Sequence, residues 1–243
     1  MVNAGDVESD MPTFAMRWLS ERPTLRKPRY GHLLRFVQLL AYVTIFAVLS
    51  RQASGQSRPA RIIAFGDSLT AGYLLPARAA FPAVLERALR AAGHNVEVTN
   101  AGVSGDTATG GLDRLEWVIG EGGDAMILEL GANDMFRGLD PDLTYRALKE
   151  IVTRTKARGI KVLIAGMIAA PGMGKDFEDR FNAIFPRLAK ETDSPLYPFF
   201  LQGVAGDRSL LMQDGIHPTA AGVERIVQGI LPATIGILPA GTP

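Results

Sequence analysis

The sequence predicts an α/β domain built on a parallel β-sheet, and three observations support this. From residue 57 onward, short apolar runs alternate with longer amphipathic stretches, as strands and helices do when they follow each other along a chain. Polar loops that contain glycine follow several of the apolar runs. The chain has 243 residues, 47% of them hydrophobic, which is enough for one sizeable core. Such alternation favours parallel strands with helices on both faces of the sheet.

Each predicted strand is a short run rich in β-branched and other apolar residues. The five runs are Arg61–Phe65, Val96–Asn100, Ala125–Leu130, Lys161–Met167 and Leu196–Phe199. The predicted helices are longer, and their apolar residues recur at helical spacing. These five stretches are Phe81–Ala92, Gly110–Ile119, Pro141–Arg158, Asp176–Thr192 and Thr219–Leu231. In such a sheet, ligands bind outside the carboxyl ends of the strands.

The first 56 residues predict a leader, and residues 57–243 predict the folded domain. Basic residues between Arg22 and Arg35 precede the uncharged run Phe36–Leu49, which the small residues Ala53-Ser54-Gly55 follow. This order is typical of a secretory signal peptide. We therefore expect export to the periplasm or the medium, with cleavage near Ala53–Gly55.

Two alternatives stay open for this leader, an uncleaved membrane anchor and a core helix. The uncharged run is short for a membrane span of roughly 20 residues, although Leu33 and Leu34 could lengthen it. If the leader is cleaved, we expect no stable membrane association. The sequence also leaves the true start open among three methionines, Met1, Met11 and Met16.

Charge argues against a nucleic-acid partner. The net charge is +1, and residues 1–56 hold seven Lys/Arg and four Asp/Glu. The remaining chain therefore has nineteen basic and twenty-one acidic residues, without the clustered Lys and Arg that phosphate binding requires. The absence of cysteine excludes disulfides and thiolate metal sites but does not choose a compartment.

Ser68 is the candidate nucleophile, because Gly66-Asp67-Ser68 directly follows the first predicted strand. The same three residue types also form ordinary turns and helix caps, which is the alternative interpretation. The segment Asp214-Gly215-Ile216-His217 supplies the help that a serine needs, a base and an acid three residues apart. We therefore predict that Ser68, His217 and Asp214 act together, and that Asp67 orients the turn.

Two further loops carry candidate hydrogen-bond donors for an oxyanion. Gly105 follows the second predicted strand and allows a close approach of its backbone N–H, and Asn133 follows the third and offers a side-chain amide. With the N–H of Ser68 they make three predicted donors. Each loop alone could be only a turn and a cap, but their positions after consecutive strands favour a shared site.

Four sequence blocks resemble the SGNH (GDSL) hydrolases, and more closely the branch of periplasmic arylesterases and of acyl-CoA thioesterase I / lysophospholipase L1. They are Gly66-Asp67-Ser68, Gly105, Gly131-Ala132-Asn133-Asp134 and Asp214-Gly215-Ile216-His217. Each block is weak by itself, but the ordered set is specific and extends over roughly Arg61 to Leu231. The resemblance implies a flavodoxin-like three-layer α/β/α sandwich with a five-stranded parallel sheet.

We accordingly expect a serine esterase for carboxylic esters, and for acyl thioesters or lysophospholipids as further small-molecule substrates. No cofactor or metal is expected, because the triad requires none and no ligand cluster is seen. The residues predicted to contact the acyl chain are Phe136, Ala170, Pro171, Gly172 and Met173. An O-acetyl esterase for carbohydrates, an acyltransferase and a non-catalytic binding module remain alternatives, while a dinucleotide-binding domain lacks the G-x-G-x-x-G spacing at Gly66. The sequence does not indicate an oligomeric state.

Overall fold

The computed structural model describes residues 35–42 and 58–240. Residues 35–42 are helical and belong to the predicted leader. The predicted cleavage region Ala53–Gly55 and the three candidate start methionines lie outside the described residues. Within the described part of the chain, no helix has both the length and the apolarity that a membrane crossing requires.

The folded domain is built on a five-stranded parallel sheet in the order β2-β1-β3-β4-β5. Its strands are β1 (Ala60–Gly66), β2 (Val96–Gly102), β3 (Ala125–Glu129), β4 (Lys161–Ala165) and β5 (Leu196–Tyr197). The central strands β1 and β3 are almost entirely buried. The predicted fold class is therefore confirmed, with all five strands at the expected places.

Helices flank the sheet. They are α1 (Ser68–Ala71), α2 (Phe81–Ala91), α3 (Ala108–Gly120), α4 (Ala132–Phe136), α5 (Pro141–Ala157), α6 (Lys175–Asn182), α7 (Ile184–Thr192) and α8 (Ala220–Ile237). A 3₁₀ turn covers Ala77–Ala79. Helix α5 packs against α3 and α7, whereas α2 packs against α8. The short helices α1 and α4 begin just after β1 and β3, so both start at the carboxyl edge of the sheet.

The last two strands are shorter than the predicted runs Lys161–Met167 and Leu196–Phe199. Strand β5 pairs with β4 at only two positions, ending at Ala165 and Tyr197. Pro198 follows and has no N–H to continue the ladder. A side chain at Gly166 would also meet the carbonyl oxygen of Pro198, with its Cβ only 2.5 Å away.

Two predicted helices were wrong in extent. The stretch Asp176–Thr192 is two helices that meet at Ala183, because Pro186 fits the first turn of a new helix but would break a continuous one. The last helix was expected to end at Leu231 but continues through Pro232 to Ile237. Pro232 itself is exposed, whereas Thr234 and Ile237 in the final turns are buried, and this burial offsets part of the cost of an internal proline.

Candidate active site

The turn after β1 presents Ser68 as the first residue of α1. Gly66 allows the turn because a Cβ there would lie 2.2 Å from Thr70 Oγ1 and 2.5 Å from the main-chain oxygen of Glu129. Asp67 caps α1, and its Oδ1 accepts a hydrogen bond of 3.0 Å from the N–H of Leu69. The Ser68 side chain is thereby fixed where the central strand ends.

Asp214 and His217 lie on a tight loop between Leu211 and Pro218, which pair as an isolated antiparallel bridge. The N–H of Met212 donates to the carbonyl oxygen of His217 at 2.8 Å and closes the loop. Inside it, Asp214 Oδ1 accepts from the backbone N–H groups of Ile216 and His217, at 2.9 and 3.0 Å. The carboxylate is thus fixed by its own loop.

Ser68, His217 and Asp214 form one hydrogen-bonded chain. His217 Nδ1 lies 2.7 Å from Asp214 Oδ2, and His217 Nε2 lies 2.9 Å from Ser68 Oγ. Because an ionised carboxylate only accepts hydrogen bonds, Nδ1 carries the hydrogen and Nε2 accepts from the serine hydroxyl. The ring of Tyr73 packs on the imidazole, with 4.4 Å between the ring centroids.

Asp214 has an environment that favours its anion. The N–H of Ile216, the side chain of His217 and the N–H of His217 lower the pKa of Asp214 to about 2. The carboxyl is therefore ionised at neutral pH. It can orient the imidazole and stabilise the imidazolium that forms when Ser68 gives up its proton.

Asn133 joins the loops that follow β1 and β2. Its Nδ2 donates to Asp67 Oδ2 at 3.0 Å and to the main-chain oxygen of Asp106 at 2.9 Å. Gly105, just before Asp106, has a positive φ of 86°, which glycine adopts without strain. Among the described residues, the backbone N–H groups of Ser68 and Gly105 have no hydrogen-bond acceptor.

Asp134 holds the start of α3 and has a larger structural role than the sequence indicated. It is buried, and it accepts from the N–H of Ala108 at 2.8 Å and from Thr144 Oγ1 at 2.9 Å. Burial raises the pKa of its carboxyl. Asn133 and Asp134 together therefore fix the turn from Asp106 to Ala108.

Beneath the nucleophile turn lie two buried carboxyl groups, Asp67 and Glu129. Thr70 Oγ1 donates to Glu129 Oε2 at 2.7 Å, while Glu129 Oε1 has no hydrogen-bond partner in the part of the chain that the structure describes. Burial, and then the charge of Asp67, raises the pKa of Glu129 well above its usual value. Sequence reasoning missed Glu129 because it was counted as part of an apolar strand. The available signal was a carboxyl side chain near the carboxyl end of a buried strand.

A cavity of about 780 Å³ opens beside the triad. Of the residues predicted to contact an acyl chain, Phe136, Ala170 and Pro171 line it, whereas Gly172 and Met173 do not. Sequence reasoning missed apolar lining residues on several other elements: Leu69, Met167, Phe199, Leu201, Leu211 and Ile216. The wall is mostly apolar, and its polar groups are those of Asp67, Ser68, Asn133 and His217.

No group of three or more His, Asp or Glu side chains in the described ranges has an arrangement that could hold a metal ion. The polar side chains at the cavity include a hydroxyl, an imidazole hydrogen-bonded to it and an amide, which match a nucleophile, a base and a hydrogen-bond donor.

Comparisons with known proteins point to one family. Residues 64–225 match the model of the GDSL-like Lipase/Acylhydrolase family. The arylesterase of Vibrio mimicus is 34% identical over 183 residues, which are 75% of this chain and 90% of that protein. The thioesterase 1/protease 1/lysophospholipase L1 of Escherichia coli K12 is 38% identical over 158 residues, 65% of this chain and 74% of that protein. AlinE4, an SGNH-hydrolase family esterase with a crystal structure, is 42% identical in sequence to this chain. The two structures match with a TM-score of 0.64 over 76% of this chain and 100% of AlinE4.

Proposed function

The chain belongs to the GDSL-like lipase/acylhydrolase family, and we propose that it hydrolyses carboxylic esters with Ser68, His217 and Asp214 as its catalytic triad. The observation that carries the proposal is the hydrogen-bonded chain from Ser68 Oγ through His217 to Asp214, with links of 2.9 and 2.7 Å. This arrangement is the one by which a weakly nucleophilic hydroxyl is activated at neutral pH.

In the first half of the reaction, Ser68 Oγ attacks the carbonyl carbon of the ester. Its proton moves to His217 Nε2 as the new carbon–oxygen bond forms, and the ionised Asp214 stabilises the resulting imidazolium. When the tetrahedral intermediate collapses, the bond to the leaving oxygen breaks and His217 protonates that oxygen. The products of this half are an alcohol and an acylated Ser68.

The oxyanion of the tetrahedral intermediate needs hydrogen-bond donors that are already in place. The backbone N–H groups of Ser68 and Gly105 suit this role because neither has another acceptor among the described residues. Asn133 is the third donor. Since Asp67 and Asp106 already engage its two amide hydrogens, its donation to an oxyanion is shared with one of these acceptors.

In the second half, water replaces the alcohol. His217 removes a proton from the water, whose oxygen attacks the acyl carbon, and the carboxylic acid leaves as Ser68 Oγ recovers its proton. No step needs a metal or a cofactor, because Ser68 and His217 carry out every proton transfer with the ester and water.

The cavity supports a substrate with an apolar acyl or aryl part. Its walls are mostly apolar and its volume is about 780 Å³, which is within the usual range for small-molecule sites. A carbohydrate would bring hydroxyl groups that need polar partners, and burying them without partners is costly. Acyl esters and aryl esters are therefore the favoured substrates. Thioesters and lysophospholipids are further candidates, suggested by the name of the Escherichia coli relative.

We also infer that residues 1–56 are a leader that directs export and is removed near Ala53–Gly55. The order of basic, uncharged and small residues supports this. Expression of the full chain in a secreting bacterium, followed by N-terminal sequencing of the periplasmic protein, tests it. A new N-terminus close to Gly55 is expected, and an unprocessed chain retained in the membrane fraction would contradict it.

The esterase proposal is tested with p-nitrophenyl esters of acetate to dodecanoate and the full chain. The variants are Ser68→Ala and, as a control for loss of a serine hydroxyl, Ser209→Ala on an exposed loop outside the cavity wall. We expect turnover by the wild type and by Ser209→Ala, and a loss of about 10⁴-fold or more in Ser68→Ala. Equal turnover by the wild type and Ser68→Ala would exclude Ser68 as the nucleophile.

A further inference from the structure

We propose that Arg114 is a positioning residue for the oxyanion-stabilising loops, an inference that rests on the proposed function. Arg114 lies on α3 and donates in three directions. Its Nε donates to Asp106 Oδ2 at 2.6 Å, its Nη1 to the main-chain oxygen of Ala101 at 2.9 Å, and its Nη2 to that of Gly66 at 3.0 Å. One guanidinium thereby connects the ends of β1 and β2 with the turn that follows β2.

These three contacts lie next to the residues of the oxyanion site. Gly66 precedes Asp67 and Ser68, so its carbonyl belongs to the nucleophile turn. Asp106 follows Gly105, and its main-chain oxygen accepts the hydrogen bond from Asn133 Nδ2. A shift of the Asp106 turn would therefore move Gly105 and Asn133 relative to Ser68.

The surroundings of Arg114 keep its guanidinium in one orientation. The side chains of Arg114 and Asp106 are only 19% and 18% exposed, and the guanidinium lies over the ring of Phe65, 4.2 Å from its centroid. A planar fork that donates to two carbonyl oxygens and a carboxylate is specific to arginine. Lysine could keep the charge pair with Asp106 but could not make all three contacts.

A second arginine–aspartate pair, in which the arginine side chain is 70% exposed, provides a control at the opposite edge of the sheet. Arg58 donates to both carboxylate oxygens of Asp124 at 2.8 and 2.7 Å, just before β1 and β3 begin. This pair also joins neighbouring strands, but it lies at their amino ends, away from the triad. Arg58→Met is therefore the control variant, because it removes an arginine that only stabilises the fold.

The expected effect of Arg114→Met is a decrease in kcat of about 10- to 100-fold with a small change in KM. A misplacement of about 1 Å in a catalytic group can cost about 100-fold, and the loss appears in kcat when the affected contacts form only in the transition state. Arg114→Lys should recover part of the activity, and Arg58→Met should keep the wild-type kcat. All variants are measured on p-nitrophenyl butyrate at a temperature where circular dichroism shows them folded.

A double-mutant cycle with Asn133→Ala separates positioning from general stability. Asn133→Ala alone should lower kcat by about 10²–10³-fold. If Arg114 acts through the oxyanion site, Arg114→Met should lower kcat less in the Asn133→Ala background than in the wild type, because part of its effect passes through Asn133. Multiplicative effects, or an unchanged kcat in folded Arg114→Met, would overturn the proposal.

Two further comparisons keep the outcome clear. If Arg114→Met does not fold, Arg114→Lys and Asp106→Asn replace it in the cycle, since both weaken the same pair while retaining similar size. The comparison of wild type with Ser68→Ala tests the proposed function separately. Absence of Ser68-dependent turnover would reject the esterase and this inference with it, whereas an active wild type with unaffected Arg114 variants would reject only the inference.

Discussion

Two aspartates of the candidate site, Asp214 and Asp67, have pKa values that shift in opposite directions. Asp214 lies on an exposed loop, and its pKa is lowered to about 2. Asp67 is fully buried next to the nucleophile, and its pKa is raised to about 6. The surroundings of each carboxyl group, rather than its distance from Ser68 in the sequence, therefore determine which one can serve as a permanent anion.

The difference follows from hydration and hydrogen bonding. The side chain of Asp214 is 37% exposed, so its anion keeps contact with water while also receiving two backbone N–H groups and the imidazole. Burial removes water from Asp67, and this effect outweighs the N–H of Leu69, the charge of His217 and the amide of Asn133, which all favour its anion. Asp214 therefore suits stabilisation of an imidazolium, and Asp67 suits a structural link between loops.

The largest effect in this comparison is expected for Asp214→Asn. Loss of the anion removes both the orientation of His217 and the stabilisation of its cation, so kcat should fall by about 10²–10⁴-fold. The measurement is ester turnover at pH 7.5. Asp207→Asn is the matched control, because Asp207 also accepts from a neighbouring loop N–H but does not line the cavity. A fall of less than about tenfold in Asp214→Asn would contradict the assigned role.

Asp67→Asn should have a smaller effect on turnover, about tenfold, because the Leu69 N–H keeps an acceptor while the link to Asn133 is weakened. Its clearer effect is on stability. Between about pH 4 and pH 6 the native state binds more protons at Asp67 than the unfolded state, so the free energy of unfolding decreases as the pH rises through this range. Glu129, whose pKa is also raised, contributes with the same sign.

Urea unfolding of wild type and Asp67→Asn at pH 4, 5, 6 and 7 measures this dependence. Ionisation of Asp67 between pH 4 and pH 7 should lower the free energy of unfolding of the wild type by on the order of 1–3 kcal/mol. Asp67→Asn lacks this ionisation, so its free energy of unfolding should depend less on pH. Asp214 has the opposite effect, because its lowered pKa means that its anion stabilises the native state. This stabilisation is lost only as the pH falls from about 4 towards 2. Identical pH dependence in both proteins would show that Asp67 has no raised pKa.

The smallest predicted effect concerns the cavity wall. Phe136→Ala should lower kcat/KM for p-nitrophenyl octanoate relative to p-nitrophenyl acetate by about tenfold or less. The reason is that the substitution removes part of an apolar contact with the longer acyl chain. Trp117→Ala is the control, since Trp117 is an exposed aromatic residue that does not line the cavity. An unchanged ratio of octanoate to acetate in Phe136→Ala would place the acyl chain elsewhere.

Much of the fold could be predicted because it depends on local patterns. The five strands follow apolar runs, and the family resemblance based on four short blocks is confirmed by the family model. The errors in helix extent occur at prolines, because a proline can either begin a new helix or be accommodated inside one. Pro186 lies in the first turn of a new helix inside the stretch that the sequence predicts as one helix, whereas Pro232 is accommodated within α8.

The candidate site was predictable only in part, for a physical reason. Ser68, Asn133, Asp214 and His217 stand in recognisable blocks, but Arg114 is 48 residues from Gly66, and its contacts exist only after β1, β2 and α3 have packed. Glu129 likewise meets Thr70 across 59 residues. Gly172 and Met173 follow Ala170 and Pro171 on the same loop but lie outside the cavity wall, which is formed by residues from several separate elements.

Covalent labelling of Ser68 is the decisive test of its role as the nucleophile. The full chain is treated with diethyl p-nitrophenyl phosphate, and its peptides are mapped by mass spectrometry alongside the Ser68→Ala and His217→Ala variants. We predict one diethylphosphoryl group on Ser68, loss of ester turnover in proportion to labelling, much slower labelling in His217→Ala and none in Ser68→Ala. A label on another residue, or ester turnover that persists after complete labelling of Ser68, would show that Ser68 is not the nucleophile.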